Sequence, residues 1–381
     1  MKYLDSTEVR KLEHIEIVLN EDVQSRDSNL LENVRLVHNP LPNNDLNKVD
    51  LHKDFCGFEL DAPLIITGIT GGHIEAEKIN ESIAKVVNKF NIGMGVGSQR
   101  AGIENPSLAH SFSIVRERAP DKFIIGNIGV AQFNKGYDIK EVERAIEMIK
   151  ANAIAIHVNP GQEAYQDEGD VNFSSLINKI EELSEKVSVP IIIKEVGNGL
   201  NKEIVSELRS IGIKCFDVAG LGGTNWIKAE MQRSRKKHGY SLKEPGKLAD
   251  YWGNPTAISV IEARFASEDA YIIGSGGIRD GLDAAKIISL GADVAGMAFP
   301  ILKILKINGE EGLEKYIQQI LYQIKTSIFL SGGNKVASLW KNNVTIWGRL
   351  REELLSRGIN PNEFLNRRLY TLAWRYRKNG I

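Results

Sequence analysis

The sequence predicts a single α/β domain closed as a TIM-type (β/α)8 barrel, with an N-terminal extension and C-terminal helices. Two observations carry this. From residue 63 onward, eight short apolar runs alternate with amphipathic stretches. Each run is nearly continuous in apolarity, as strands buried on both faces read. Eight strand–helix alternations in one stretch imply a parallel sheet closed on itself. An open doubly wound sheet is the structural rival.

The strands are placed at 63–68, 92–97, 123–127, 153–158, 190–195, 215–219, 271–274 and 292–297. Helices follow at 74–90, 140–150, 172–185, 201–210 and 280–290. In the first of these, Ile79, Ile83, Val86 and Val87 recur at helical spacing. The barrel core is thus 63–308 of one domain, 1–381. Residues 1–62 form a polar extension, with a short apolar helix around 12–19, that folds over the barrel mouth. Residues 235–255 are an insertion between strands six and seven. Residues 309–381 read as helices and end in a basic tail (Arg367, Arg368, Arg375, Arg377, Lys378), read as a solvated helix face.

Composition is that of an ordinary globular chain: 25% charged, 42% apolar, net charge −1. This excludes a polyanion-binding surface spread over the whole molecule, though a few local cations can still hold a small anion. The two cysteines, Cys56 and Cys215, lie in no metal-binding spacing and fit a reducing compartment. The first twenty residues are charged throughout, and no apolar run approaches the ~20 residues that span a bilayer. A cytoplasmic location is expected.

Catalytic groups of such barrels stand where strands end. Strand one ends in Thr67-Gly68-Ile69-Thr70-Gly71-Gly72, whose glycines let backbone approach a flat or anionic ligand, or simply make a tight turn. Strand two ends in Gly97-Ser98-Gln99-Arg100, where Arg100 clamps a phosphate or bridges to a neighbouring helix. Strand three offers Asn127, with Gln132 close behind, as a ring-edge contact or a helix cap. Strand four gives the densest group, His157-Val158-Asn159-Pro160-Gly161-Gln162-Glu163, with His157 and Asn159 on one side. A lone Glu with polar neighbours suits Mg2+ held partly through substrate phosphate and water.

Lys194 closes an otherwise apolar fifth strand, so it requires a counter-charge or an electron-rich partner such as a reduced flavin. After strands six, seven and eight come Gly220-Leu221-Gly222-Gly223-Thr224-Asn225-Trp226, Gly274-Ser275-Gly276-Gly277-Ile278-Arg279 and Gly296-Met297-Ala298-Phe299. The last two loops are where such barrels hold a phosphate. Outside the barrel, Arg10, Lys11 and His14 form a small cationic face that either meets an anion at the mouth or is solvated.

Together these motifs resemble the type 2, FMN-dependent isopentenyl diphosphate isomerases, the archaeal branch in particular, from about residue 10 to 300. The resemblance implies an isomerase of isoprenoid biosynthesis that interconverts isopentenyl and dimethylallyl diphosphate with reduced FMN as proton carrier, Mg2+, and NADPH as reductant. It implies FMN contacts at Thr67, Gly68, Ile69, Thr70, Ser98, Asn127, Lys194, Thr224, Gly276, Gly277, Ile278, Arg279, Ala298 and Phe299. Ala219 stands where the family often has Ser or Thr, which puts one flavin contact in doubt. Substrate would meet Arg10, Lys11, Ser98, Gln99, Arg100, His157, Asn159 and Gln162; Glu163 would hold Mg2+; His157, Gln162, Trp226 and Glu230 would serve catalysis. A homotetramer or larger homo-oligomer is implied as well, with no nucleic-acid or membrane partner.

Three rivals are open to test. A 2-hydroxy-acid oxidase on the same barrel needs a histidine near the end of strand six, but the stretch reads Gly220–Thr224 and no histidine follows His238. An inosine-monophosphate-type dehydrogenase needs a loop cysteine, whereas Cys215 begins a strand. A flavin-storage or phosphate-binding scaffold would not need Arg100, His157, Asn159, Gln162 and Glu163 above one face.

Overall fold

The eight apolar runs are the eight strands of one closed parallel barrel in the computed structural model, which describes residues 7–341 and 343–366. They are Leu64–Ile66, Gly93–Gly95, Ile124–Gly129, Ala153–His157, Ile191–Lys194, Cys215–Asp217, Tyr271–Ser275 and Val294–Met297. Each pairs with its sequence neighbour, and the eighth closes on the first through Ala295↔Leu64, Gly296↔Ile65 and Met297↔Ile66. Closure rules out the open doubly wound sheet.

Most strands are shorter than the apolar runs because the flanking residues turn out of the ladder. The third instead runs on to Gly129, so Asn127 sits inside a strand and not at its end. Helices cover the barrel on the outside. Ile139–Ile149 starts with a capping box made by Asp138 and Glu141, which satisfies two free amides at once. The helix expected from 172 begins only at Leu176. Asn172 accepts from the Ser174 amide instead, a local turn that competes with helix.

The extensions depart from expectation in two places. Residues 1–62 do not lie over the mouth alone. The helix Thr7–Asn20 and the chain to Asn29 do, but the hairpin Lys53–Phe55/Phe58–Leu60 closes the opposite end of the barrel. Nor is the C-terminal part all helix. Val344–Ile346 pairs antiparallel with Val34–Leu36, a ladder between β-branched segments far apart in sequence. The long helix Phe299–Leu330 is bent where Gly309 leaves helical geometry (φ 66°). The insertion 235–255 is the last turn of helix Trp226–His238, a loop, and the short helix Leu248–Tyr251. The basic tail from Arg367 lies outside the described residues. Among them, no helix is long and apolar enough to cross a membrane.

Candidate active site

A cavity of about 220 Å³ opens at the C-terminal ends of the strands. The N-terminal helix roofs it. Ile15, Ile17 and Val18 are buried, and Ile17 and Val18 pack with Ala229 and Leu302. Glu13 and His14, one turn before Ile17 and Val18 on the same helix, carry the charged clamp. The nearly buried Arg233 donates to Glu13 (2.7 Å) and Glu168 (2.7 Å). His14 Nε2 donates to Glu230 Oε1 (2.9 Å), and its ring stands edge-on to Trp226 at 5.1 Å.

The chain beyond this helix is sewn to the glycine loops. Ser25 N donates to Gly223 O, Asn225 N to Val23 O, and Asn29 Nδ2 to Gly277 O. Gln24 donates to Thr224 Oγ1 (3.2 Å) and accepts from Arg279 (2.5 Å), linking loops six and seven. Glycine is required where these segments meet. A Cβ on Gly276, which has φ of 111°, would lie 2.2 Å from the Gly220 carbonyl oxygen.

Three cations converge on one side of the cavity. Arg10 pairs with Glu168 (3.2 Å) and Arg100 with Glu104 (2.7 Å) at the rim. Lys11 has no carboxylate within ion-pairing reach among the described residues. Burial, then the charges of Arg10 and Arg100, push its pKa down to about 7. The three cations repel one another, and a polyanion between them would relieve that repulsion.

Beneath them lies a polar relay. Asn127 Nδ2 donates to Val96 O (3.0 Å), which turns its Oδ1 toward His157. His157 Nδ1–H must then donate to that oxygen (2.8 Å), leaving Nε2 as an acceptor. Burial, with Lys194 and Lys11 nearby, lowers the His157 pKa to about 3, so the ring is neutral at working pH. Asn159 Nδ2 donates to Gln162 Oε1 (3.2 Å) and Glu163 Oε1 (2.9 Å), and Gln162 Nε2 donates to Glu230 Oε1 (2.8 Å). Burial works to raise the Glu230 pKa. His14, Gln162 and Arg233 prevail and hold its carboxyl below the usual range.

Of the residues expected from sequence, Arg10, Lys11, Thr67, Gly68, Ile69, Thr70, Ser98, Arg100, Asn127, His157, Asn159, Gln162, Glu163, Lys194, Thr224, Trp226, the 276–279 loop, Ala298 and Phe299 all line the cavity. Two do not. Gln99 is fully buried behind the wall; its amide donates to Ala145 O and accepts from Asn127 N, so it braces strand three and has no atom free for substrate. Glu230 is also buried and reaches the cavity only through Gln162 and His14.

Sequence reading passed over other residues. His14 was seen only as part of a charged face, and Gln24 not at all, because each needs a partner more than 190 residues away. Gln166 was missed as well and lines the cavity, as does Gln132, which the sequence did offer beside Asn127. Asp217, fully buried, is the counter-charge that Lys194 required: the two residues are register partners on adjacent strands, and Ser275 Oγ donates to Asp217. Burial raises the Asp217 pKa, and Lys194 works against that.

The residues fit a flavin phosphate and a hard cation. The loop 276–279 and the N-terminus of helix Phe299–Leu330 meet at one corner, where backbone amides and the helix dipole favour an anion. Arg279 stacks on the Phe299 ring at 5.4 Å beside them. The Thr70 hydroxyl and the Asn159 Oδ1 are buried without a hydrogen-bond partner among the described residues. An unsatisfied amide oxygen next to the Glu163 carboxylate is a donor set of the kind Mg2+ takes. No group of three His, Cys, Asp or Glu side chains gathers among the described residues, so a cation here would depend on ligand oxygens and water.

Residues 140–346 match the FMN-dependent dehydrogenase family. The isopentenyl-diphosphate delta-isomerase of Aeropyrum pernix is 52% identical over 94% of this chain and 96% of its own length. That of Ignicoccus hospitalis is 47% identical over 93% and 97%, and that of Halobacterium salinarum 41% over 91% and 95%. Among solved structures, a mutant mandelate oxidase carrying a monooxide FMN adduct superposes with a TM-score of 0.61 at 15% identity, covering 87% of this chain and 95% of that one. A mutant flavocytochrome b2 gives 0.63 at 17%, covering 88% and 83%. At such identities these two speak to the fold alone.

Proposed function

The chain belongs to the isopentenyl-diphosphate delta-isomerases, within the FMN-dependent dehydrogenase family, and from that premise we propose that it interconverts isopentenyl and dimethylallyl diphosphate using reduced FMN, Mg2+ and, as reductant, NADPH. The observation that carries the reading is the convergence of Arg10, Lys11 and Arg100 on one side of the cavity.

The cations bind the diphosphate. Lys11, whose pKa burial and its cationic neighbours lower to about 7, is held fully charged by the anion. Neutral His157 offers Nε2 as a hydrogen-bond acceptor toward the cavity and adds no charge there. Glu163 and Asn159 would hold Mg2+, which would supply charge to neutralise the diphosphate. Gln162, tied at both ends by Asn159 and Glu230, stands beside the hydrocarbon in one fixed orientation. Trp226, Ile15 and Val18 exclude water from that end. Ser98, Thr67 to Thr70, Asn127, Thr224, the 276–279 loop, Ala298 and Phe299 would hold FMN, and Lys194 would supply a positive charge beside it. Reduced FMN, when bound, supplies a ring nitrogen that gives up and takes back a proton with no net electron transfer. The same resemblance supports a cytoplasmic homotetramer or larger assembly, which sedimentation tests.

The deciding experiment is an anaerobic assay with FMN, Mg2+, NADPH and isopentenyl diphosphate. Dimethylallyl diphosphate forms only with reduced flavin and without stoichiometric NADPH loss. Bleaching of the flavin by a hydroxy acid, with no isomer formed, would return the protein to the oxidoreductases.

A further inference from the structure

The end of the barrel away from the cavity is closed by the hairpin Lys53–Phe55/Phe58–Leu60. Phe55 and Leu60 are buried there with Ile65, Phe123, Cys215 and Val294. The two-residue turn is Cys56-Gly57, and both residues have positive φ, 54° and 82°. A hairpin turn with both central residues left-handed is type I′, and Asn, Asp or Gly is the usual first residue. A Cβ-bearing residue held left-handed costs about 1–2 kcal/mol. Cysteine at this place runs against the local preference.

Its side chain offers a reason. Cys56 Sγ lies 2.8 Å from Cys215 Sγ, on the first residue of the sixth barrel strand. That is closer than unbonded sulfurs pack at ease, and longer than the ~2.05 Å of a covalent bond. Both sulfurs belong to free thiols here, Cys215 buried and Cys56 half-buried. They are also the only two cysteines in 381 residues. The disfavoured turn residue and the sulfur contact across 159 positions are separate observations. One role accounts for both.

We propose that Cys56 and Cys215 form a redox modification site and close as an intramolecular disulfide that staples the hairpin cap to the sixth strand. The oxidant is a small-molecule disulfide. Cys56, the more exposed thiol, attacks it as the thiolate, a form that burial and the neighbouring Cys215 sulfur make scarce, so the step is slow; the attack releases one small thiol, giving a mixed disulfide. Cys215 Sγ then displaces the second small thiol. One S–S bond is broken and one formed; the protein pair loses two electrons and two protons, and both appear on the two released thiols. The loop so closed contains the first five barrel strands. Closing it restricts the unfolded chain. The staple lies at the far end from the cavity, so it acts on unfolding and not on the chemistry.

The test uses the full chain, incubated with oxidised glutathione or with a phosphine reductant. Each sample is denatured, alkylated and weighed, and its thermal midpoint is measured. The oxidised chain is expected to take up no alkyl group, to yield one cross-linked peptide pair on digestion, and to melt several degrees higher. The reduced chain takes up two alkyl groups. Cys56→Asn supplies the residue a type I′ turn prefers, so it folds, and its midpoint no longer responds to redox state. Two alkylated cysteines after oxidation, a glutathione adduct that never closes, a cross-link between chains, or a redox-dependent midpoint in Cys56→Asn would each overturn the proposal.

Discussion

Binding of the diphosphate should take up a proton, and Lys11 should be its destination. The Lys11 pKa is about 7, against 10.5 for a free lysine, because burial and the charges of Arg10 and Arg100 disfavour its ammonium. The negative charge of a bound polyanion offsets both effects and returns the pKa toward its ordinary value. At pH 8 about 0.1 of the free protein carries that proton, so binding takes up about 0.9; at pH 6 it takes up about 0.1. Above pH 7 affinity therefore falls almost tenfold per unit, roughly 50-fold between pH 7 and pH 9. The ligand's own last ionisation, with a pKa near ~6 for such phosphates, is complete there and adds nothing.

The measurement is calorimetric titration of isopentenyl diphosphate into the FMN enzyme, flavin oxidised, in two buffers of different ionisation enthalpy. The difference in heat gives the proton number directly. Lys11→Met should remove the uptake and flatten the affinity profile. At pH 6.5 it should weaken binding by about 10- to 100-fold, the loss of one charge-assisted hydrogen bond. A proton number near zero at pH 8, or an unchanged number in Lys11→Met, would refute the argument. The same shift has a stability signature of unusual sign. The unfolded state binds the proton more tightly between pH 7 and 10.5, so the ligand-free protein gains stability from this group as pH rises through that window.

Other consequences are as direct. His157, with its pKa lowered from 6.5 to about 3, should stay neutral and Nδ1-protonated in nitrogen-resolved NMR at pH 5; its share of stability is full above pH 6.5 and is lost as pH falls toward 3, at no more than ~1.4 kcal/mol per unit. Gly276→Ala should fold but lose bound flavin, seen as lost visible absorbance, because its Cβ meets the Gly220 carbonyl oxygen at a φ of 111°, a strain of about 1–3 kcal/mol before the clash is counted. Glu230→Gln should lower kcat by about 100-fold with a smaller change in KM, since it frees Gln162 and His14 together without touching the diphosphate cations. Asp217→Asn should raise the midpoint potential of bound FMN, because it removes the negative charge that offsets Lys194; an unchanged potential would make Asp217 a packing residue only.

Much of this site was legible because a barrel puts strand ends in one ring, so eight motifs scattered over the sequence become neighbours by closure alone. Thr67, Ser98, His157, Lys194 and Arg279 needed no more than that. The errors have a common cause. Gln99 lies between Ser98 and Arg100, and residues adjacent at a helix start point in different directions; its amide goes back into the wall. Glu230 is one turn into a helix, so it stands behind Gln162 and not in the cavity. Residues 53–60 carry apolar hairpin residues whose destination, the far end of the barrel, depends on a loop path that no local pattern encodes. The pairing of Val34–Leu36 with Val344–Ile346 is hidden for the same reason: two three-residue segments give no periodicity to read.

The division of labour within the chain explains how one barrel can serve isomerisation while its structural neighbours are oxidases. The flavin cradle proposed above is made of barrel elements that line the cavity: the ends of strands one to three, Lys194, the 276–279 loop and the start of helix Phe299–Leu330. The cationic site is not. Two of its three cations, Arg10 and Lys11, come from the N-terminal helix, and so does His14, which holds Glu230 and through it Gln162. That helix is in turn fixed by Arg233 through Glu13, and the chain beyond it by Gln24 and Asn29 against the glycine loops. On the proposed reading, substrate recognition is added to the barrel from outside, by a segment anchored to the glycine loops. Gln24 touches Thr224 and Arg279 at once and so ties that segment to loops six and seven.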